Sequence, residues 1–304
     1  MSRCDERARK PWHTGCPQLH SMDVPRRSRL RLPGETLRGW RRVATAAWDG
    51  PNDPQVFGAL DIDGTALRAF MQGARAAGHH VTPTHLAGRA VAHALAAVPD
   101  LNVRLLAGRA FPRPSIDVFF IAAIERGRDL SGVKVERADQ KSAVAIAAEL
   151  DERGRALKQG KDPSLARAKA TLERLPMPLL HVALRLGAWV TGDLALNIPQ
   201  LGLLASPFGS AMVTSVGMLG IPHGFAPLMW MYRVPLLVLV GEMSDKPVAI
   251  DGRVEVRPML PITATIDHRY VDGAQIAKAM RAFRKYLEAP AAFEPALGPA
   301  RARV

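Results

Sequence analysis

Hydrophobic and polar positions change period repeatedly along the chain, and each change marks an element. Residues 1–38, interrupted by Pro11, Pro17, Pro25 and Pro33, hold no period and predict a tail. Residues 42–48 and 55–62 alternate and predict two strands parted by the turn-forming residues 49–54. Asp63-Gly64 then opens a helix with Leu67, Phe70, Met71 and Ala74 on one face, and Thr82 with Pro83 behind it caps a second helix running to Val98. Residues 102–113 predict a hairpin around Ala107-Gly108. Residues 116–124, apolar with no charge after Asp117, predict a central strand. A strand over 132–136 and a helix over 143–157 follow. Residues 163–206 are amphipathic and mostly helical in pattern. Beyond them the pattern predicts strands over 209–217, 235–242, 247–256 (with its turn at Asp251-Gly252) and 259–267, then a helix over 272–288 and a Pro/Ala tail from 291. There is no internal repeat.

With 304 residues and 48% apolar side chains the chain can bury a sizeable core. The net charge of +13 resembles a nucleic-acid signal until it is located. Residues 1–42 hold 11 Lys/Arg against 4 Asp/Glu, so +7 of the +13 belongs to the leader. The remainder is spread thinly and without interleaved aromatics, which argues against nucleic-acid binding by the folded body. Cys4 and Cys16 both lie in the leader and, with His13 and His20, lack a usual zinc spacing, so no metal site is expected and a reducing cytoplasm fits. The leader has no apolar core of a signal peptide, and no run reaches the ~18 apolar residues of a membrane span. His85 and His93, eight apart on one helix without an acidic or thiol partner, are expected to serve packing rather than a metal.

The stretch with most chemical content is Asp267-His268-Arg269-Tyr270-Val271-Asp272-Gly273, between the last apolar strand and the last helix. A histidine that ends a buried strand can be held as a rigid base, while Asp272 can cap the helix that follows. These residues match the His-Arg-x-x-Asp-Gly signature of the dihydrolipoamide acyltransferases, the core subunits of 2-oxoacid dehydrogenase complexes. Upstream, Gly209-Ser210-Ala211-Met212-Val213-Thr214-Ser215-Val216-Gly217 resembles that family's Gly-Thr-Phe-Thr-Ile-Ser-Asn-Leu-Gly strand, with Thr214 in place of serine and Ser215 in place of asparagine. The segments Arg126-Gly127-Arg128-Asp129-Leu130 and Ala138-Asp139-Gln140-Lys141-Ser142 resemble the family as well.

The resemblance implies an α/β two-layer sandwich like chloramphenicol acetyltransferase: a mixed, mostly antiparallel sheet with helices packed on it. It implies transfer of an acyl group between a coenzyme A thioester and a thiol, with His268 as base and Thr214 as oxyanion donor, facing each other across the interface of a homotrimer that could build a larger assembly. Asp272 would anchor its helix and hold an arginine, Arg41 or Arg42. One catalytic domain is expected over 39–290, a stand-alone form without lipoyl or peripheral-subunit-binding domains, so that a lipoyl domain or a small-molecule acceptor would be supplied in trans. Residues 163–206 depart from the family. Packing elaboration is the favoured reading of that insertion, with an acceptor lid or a peripheral membrane contact as its alternatives, and its position directly before the strand of Thr214 predicts that it neighbours that hydroxyl. No phosphate loop, nucleophile elbow or His-Glu-x-x-His helix competes. The reading from a different class is a non-catalytic, self-assembling trimeric scaffold.

Overall fold

The computed structural model describes residues 54–106, 109–124, 129–158, 176–198 and 204–297. The strand expected over 42–48, Arg41, Arg42 and the leader lie outside them. Nine strands are described: β1 (Gln55–Asp63), β2 (Val103–Leu106), β3 (Arg109–Pro112), β4 (Val118–Ile124), β5 (Asp129–Val135), β6 (Ala211–Ser215), β7 (Leu236–Val240), β8 (Ser244–Ile250) and β9 (Arg253–Asp267). The helices are α1 (Thr65–Ala76), α2 (Pro83–Ala97), α3 (Ala143–Lys158), α4 (Met177–Ala188) and α5 (Gly273–Glu288).

Seven strands form one sheet in the order β1-β9-β7-β6-β4-β5, with β8 paired to β9, and β2–β3 make a separate hairpin. The β1·β9, β7·β9, β8·β9 and β4·β5 pairs are antiparallel, whereas β6 lies parallel to both β4 and β7. The mixed, mostly antiparallel sandwich is the architecture expected. Strand alternation divides the sheet into two faces. Val118, Phe120, Ala211, Val213, Val238, Val240, Ile262 and Ile266 pack with Leu67 and Phe70 of α1, Leu86 and Val91 of α2, Ile146 of α3 and Phe283 and Leu287 of α5. The opposite face carries Met212 and Leu237, which pack with Leu228 and Val234 from the irregular segment before β7.

Two boundaries differ from the sequence reading. Strands expected separately over 247–256 and 259–267 share a single fifteen-residue β9, because Pro258 and Pro261 lose only donors: their carbonyls still accept from Gly64 and Gly241. The C-terminal tail expected from 291 is, as far as Leu297, part of the packed body. Phe293 stacks against His93 and Tyr286, and the buried Glu294 accepts from the Tyr286 hydroxyl at 2.5 Å and the Ala143 amide at 2.6 Å, with Arg89 at 3.6 Å. The Pro/Ala composition of the stretch concealed a buried Glu294 and a partly buried Phe293.

Both helix histidines serve the fold. His93 lies in the ring cluster with Phe293 and Tyr286. His85 Nδ1 accepts from the Thr82 amide at 3.2 Å, closing the start of α2, and burial pulls its pKa down to about 4. A histidine that resists protonation in the folded state, but titrates normally when unfolded, contributes stability that is complete above about pH 6.5 and lost as pH falls toward 4. Denaturant unfolding should therefore show about 2 kcal/mol less stability at pH 5 than at pH 7, and His85→Gln should remove most of that difference. An unchanged pH dependence in the variant would assign the loss elsewhere.

Candidate active site

Antiparallel pairing of β9 with both β1 and β7 delivers Asp267 to the end of the sheet, where its amide donates to Pro235 O at 2.9 Å. The chain then turns over His268–Tyr270. The His268 amide donates to Pro54 O at 2.8 Å, which fixes the backbone, while the side chain stands exposed and among the described residues makes no hydrogen bond. Asp267 is buried, and its carboxylate receives Arg269 through Nε at 3.0 and 3.1 Å and Nη2 at 2.6 Å. That hydrogen-bonded pairing raises the Arg269 pKa and rigidifies the turn on both sides of His268. The sequence reading passed over this pair, although the carboxylate and guanidinium two residues apart in Asp-His-Arg were its signal.

Asp272 does what its place predicts. Its carboxylate accepts from the Ala274 amide at 2.9 Å and the Gln275 amide at 3.4 Å, and Gln275 answers by accepting from the Asp272 amide. Among the described residues no arginine reaches it; Arg41 and Arg42 lie outside them. Asp272 thus aligns the start of α5 and, through it, the turn that carries His268.

Thr214 is the fourth residue of β6 and half-buried, on the sheet face it shares with Met212. The two glycines that bracket its strand are required. Gly209 has φ +67°, and a side chain there would sit 2.5 Å from Asp117 O; a side chain on Gly217 would sit 2.5 Å from Gly241 O. Ser210 clasps the strand's start to β4, its amide donating to Asp117 O and its hydroxyl to Ser115 O.

Register places His268 and Thr214 apart within one chain. Thr214 is level with Leu239, and Leu239 with Thr263. His268 lies five residues beyond Thr263, roughly 17 Å along the strand direction and about 10 Å across two strands. The motif residues sit at opposite ends of the sheet.

The described part of the insertion, residues 176–198 and 204–206, docks at the His268 end of the sheet, whereas Thr214 lies toward the other end of β6, so the neighbourhood expected with Thr214 is not among its described contacts. After α4 a π turn over Trp189–Asp193 brings Asp193 to Arg233 Nη2 at 3.1 Å, and the Asp193 carbonyl accepts from Arg104 at 2.6 Å. Burial raises the Asp193 pKa against the opposing pull of Arg233, Arg269 and Arg104. Arg113 donates to Val103 O, Ser206 Oγ and Arg233 O at 3.1, 3.1 and 2.7 Å, tying together the hairpin, the insertion and the lead into β7. Ser206 and Arg233 both hold left-handed backbones (φ 45° and 53°), so this clasp restrains two strained residues. Burial lowers the Arg113 pKa and raises that of the adjoining Tyr270.

Residues 208–294, which span β6, the His268 turn and α5, match the family model "2-oxoacid dehydrogenases acyltransferase (catalytic domain)". That matched stretch carries both candidate site residues, His268 and Thr214. The dihydrolipoyllysine-residue acetyltransferase component of the acetoin cleaving system of Bacillus subtilis is 26% identical over 215 residues, covering 71% of this chain and 43% of the relative. The chain therefore spans less than half the length of that curated relative. Among solved structures, the cubic core of a pyruvate dehydrogenase multienzyme complex superimposes with a TM-score of 0.58 at 21% identity, covering 88% of this chain and 98% of the other. A dihydrolipoamide acetyltransferase of Azotobacter vinelandii, studied for the role of a serine, a histidine and an asparagine in its catalytic mechanism, gives 0.57 at 22% identity, covering 79% and 84%. These two share the fold. The acyltransferase signature and the sandwich that carries it thus coincide in one chain.

Proposed function

We propose that the protein is a coenzyme A-dependent acyltransferase working in the cytoplasm, with a site completed between subunits of a homotrimer. His268 removes the proton of an acceptor thiol, and the thiolate attacks the thioester carbonyl. Thr214 of the neighbouring subunit donates to the oxyanion that forms, its hydroxyl standing where the resembling strand motif carries serine. Collapse of that tetrahedral species breaks the bond to the coenzyme A sulfur, and the departing thiolate takes from the imidazolium the proton that the acceptor thiol gave up. Asp272 and the Asp267–Arg269 pair position the base. No covalent acyl-enzyme enters this sequence.

The observation that carries the reading is the separation of the two motif residues. An oxyanion donor and a base must lie within a few ångströms of one thioester, and the register puts them about 20 Å apart in a single chain. A neighbouring copy supplies the missing half. The apolar surface next to Thr214 supports such a neighbour: Met218 is 87% and Leu219 70% exposed in the turn after β6. Acceptors in keeping with the relatives are a dihydrolipoyl group presented by another protein or a small thiol.

Incubating the protein with acetyl- and longer acyl-coenzyme A against a panel including dihydrolipoamide, and following free coenzyme A by mass spectrometry, should show turnover with at least one pair. No release with any pair, together with no coenzyme A binding by calorimetry, would leave the non-catalytic trimeric scaffold.

A further inference from the structure

Helix α4 has apolar side chains on two faces, and among the described residues only one of them is covered. Ala188 is buried and Leu184 half-buried toward the body, where the helix packs against the turn at Trp230–Tyr232. Leu179, Val182, Leu186 and Trp189 recur at helical spacing on another side and are 56%, 62%, 57% and 46% exposed. Leu196 and Leu204, further along the same insertion, are each 49% exposed. Among the described residues neither core cluster takes a side chain from this insertion. An apolar stripe of this kind on a helix is ordinarily covered by a partner surface.

We infer that α4 lies in the surface of an anionic phospholipid bilayer, with the Leu179–Val182–Leu186–Trp189 stripe in the acyl region and Arg185 among the headgroups. The helix is twelve residues, roughly 18 Å, and among the described residues no helix is long and apolar enough to cross a membrane, so it lies flat. Charge fits. Arg185 is exposed beside the stripe, Met177–Ala188 contains no acid, and the next acid, Asp193, is engaged by Arg233. Trp189 closes the stripe with the ring type that favours the membrane boundary. As a separate contact with a second protein copy, apart from the proposed trimer interface, the stripe is a poorer match: half-exposed side chains of this kind offer on the order of 100 Å² each, so four give about half of the ~800 Å² that a stable interface takes from each partner. A single acyl chain is poorer still, since the stripe is convex and a ligand chain needs a concavity. The cytoplasmic leaflet carries the required negative charge. The inference does not rest on acyl transfer, and vesicle binding tests it whether or not turnover is found.

The full-length protein should cosediment with phosphatidylcholine vesicles containing phosphatidylglycerol and much less with phosphatidylcholine alone. Val182→Asp with Leu186→Asp should weaken that binding at least about tenfold while the melting curve holds, because both sites are exposed. Tryptophan emission of the wild type should be quenched by brominated phosphatidylglycerol, and Trp189→Phe should keep the binding but lose most of the quenching, which needs no destabilising change. Three results would overturn the inference: a wild type that ignores anionic vesicles or is not quenched, a double variant that binds as well as the wild type and so assigns binding to the basic leader, or lipid-free self-association that the double variant abolishes.

Discussion

Replacing His268 with alanine is expected to lower kcat by about 10³-fold, within the 10²–10⁴ a positioned general base supplies, and to leave the melting temperature nearly unchanged. The two halves of this expectation have separate structural sources. Removal of the imidazole deletes the group that would take the thiol proton. Stability is spared because the backbone of the turn is held independently, by the His268 amide on Pro54 O and by Arg269 on Asp267, and the exposed imidazole has no partner among the described residues. His93, packed against Phe293 and Tyr286, would behave the opposite way, losing stability before activity. Steady-state kinetics beside a melting curve checks both. A His268→Ala protein that keeps more than a tenth of the wild-type rate would remove His268 from the chemistry.

Thr214→Ala should cost 10²- to 10³-fold in kcat, on the order of 3 kcal/mol of transition-state stabilisation, with a smaller change in KM because the oxyanion forms only in the transition state. Thr214→Ser should recover most of the rate. The hydroxyl is the group this chain keeps where the resembling motif carries serine, and strand alternation puts the residue on the sheet face of Met212 and Leu237. Equal loss in the serine and alanine variants would make Thr214 a packing residue. The Ser210 hydroxyl, committed to Ser115 O, is not placed to take over.

Much of this architecture was legible in the chain because local and global preferences agree. Residues 63–64 and 82–83 announce two helix starts, the uncharged run after Asp117 reads as interior strand, and the Asp-Gly at 272–273 marks the cap that the structure builds. The C-terminal stretch was misread because composition stood in for contact: Phe293 and Glu294 bury against α2, α3 and α5, which only folding brings together. The place of the insertion's described part is hidden for a related reason. Adjacency in sequence to β6 is not adjacency to Thr214, because a strand advances about 3.3 Å per residue and the N-terminal end of β6 lies on the His268 side. No single-chain pattern reveals the clasp of Arg104, Arg113 and Arg233 on the insertion, since its partners are mainly backbone carbonyls. The motif residues were the easiest to find, and their separation in one chain was the least visible of their properties.

That separation makes the shared site directly testable. Purified His268→Ala and Thr214→Ala proteins, each expected to lose at least about 100-fold in rate, are mixed under conditions in which mass-labelled subunits are seen to exchange, and acyl transfer is then measured. A site built from His268 of one subunit and Thr214 of the next predicts recovered activity that rises with the extent of exchange, because mixed trimers contain one interface with both residues intact. Complete exchange with no recovered activity would contradict the shared site and require both residues to act within a single chain.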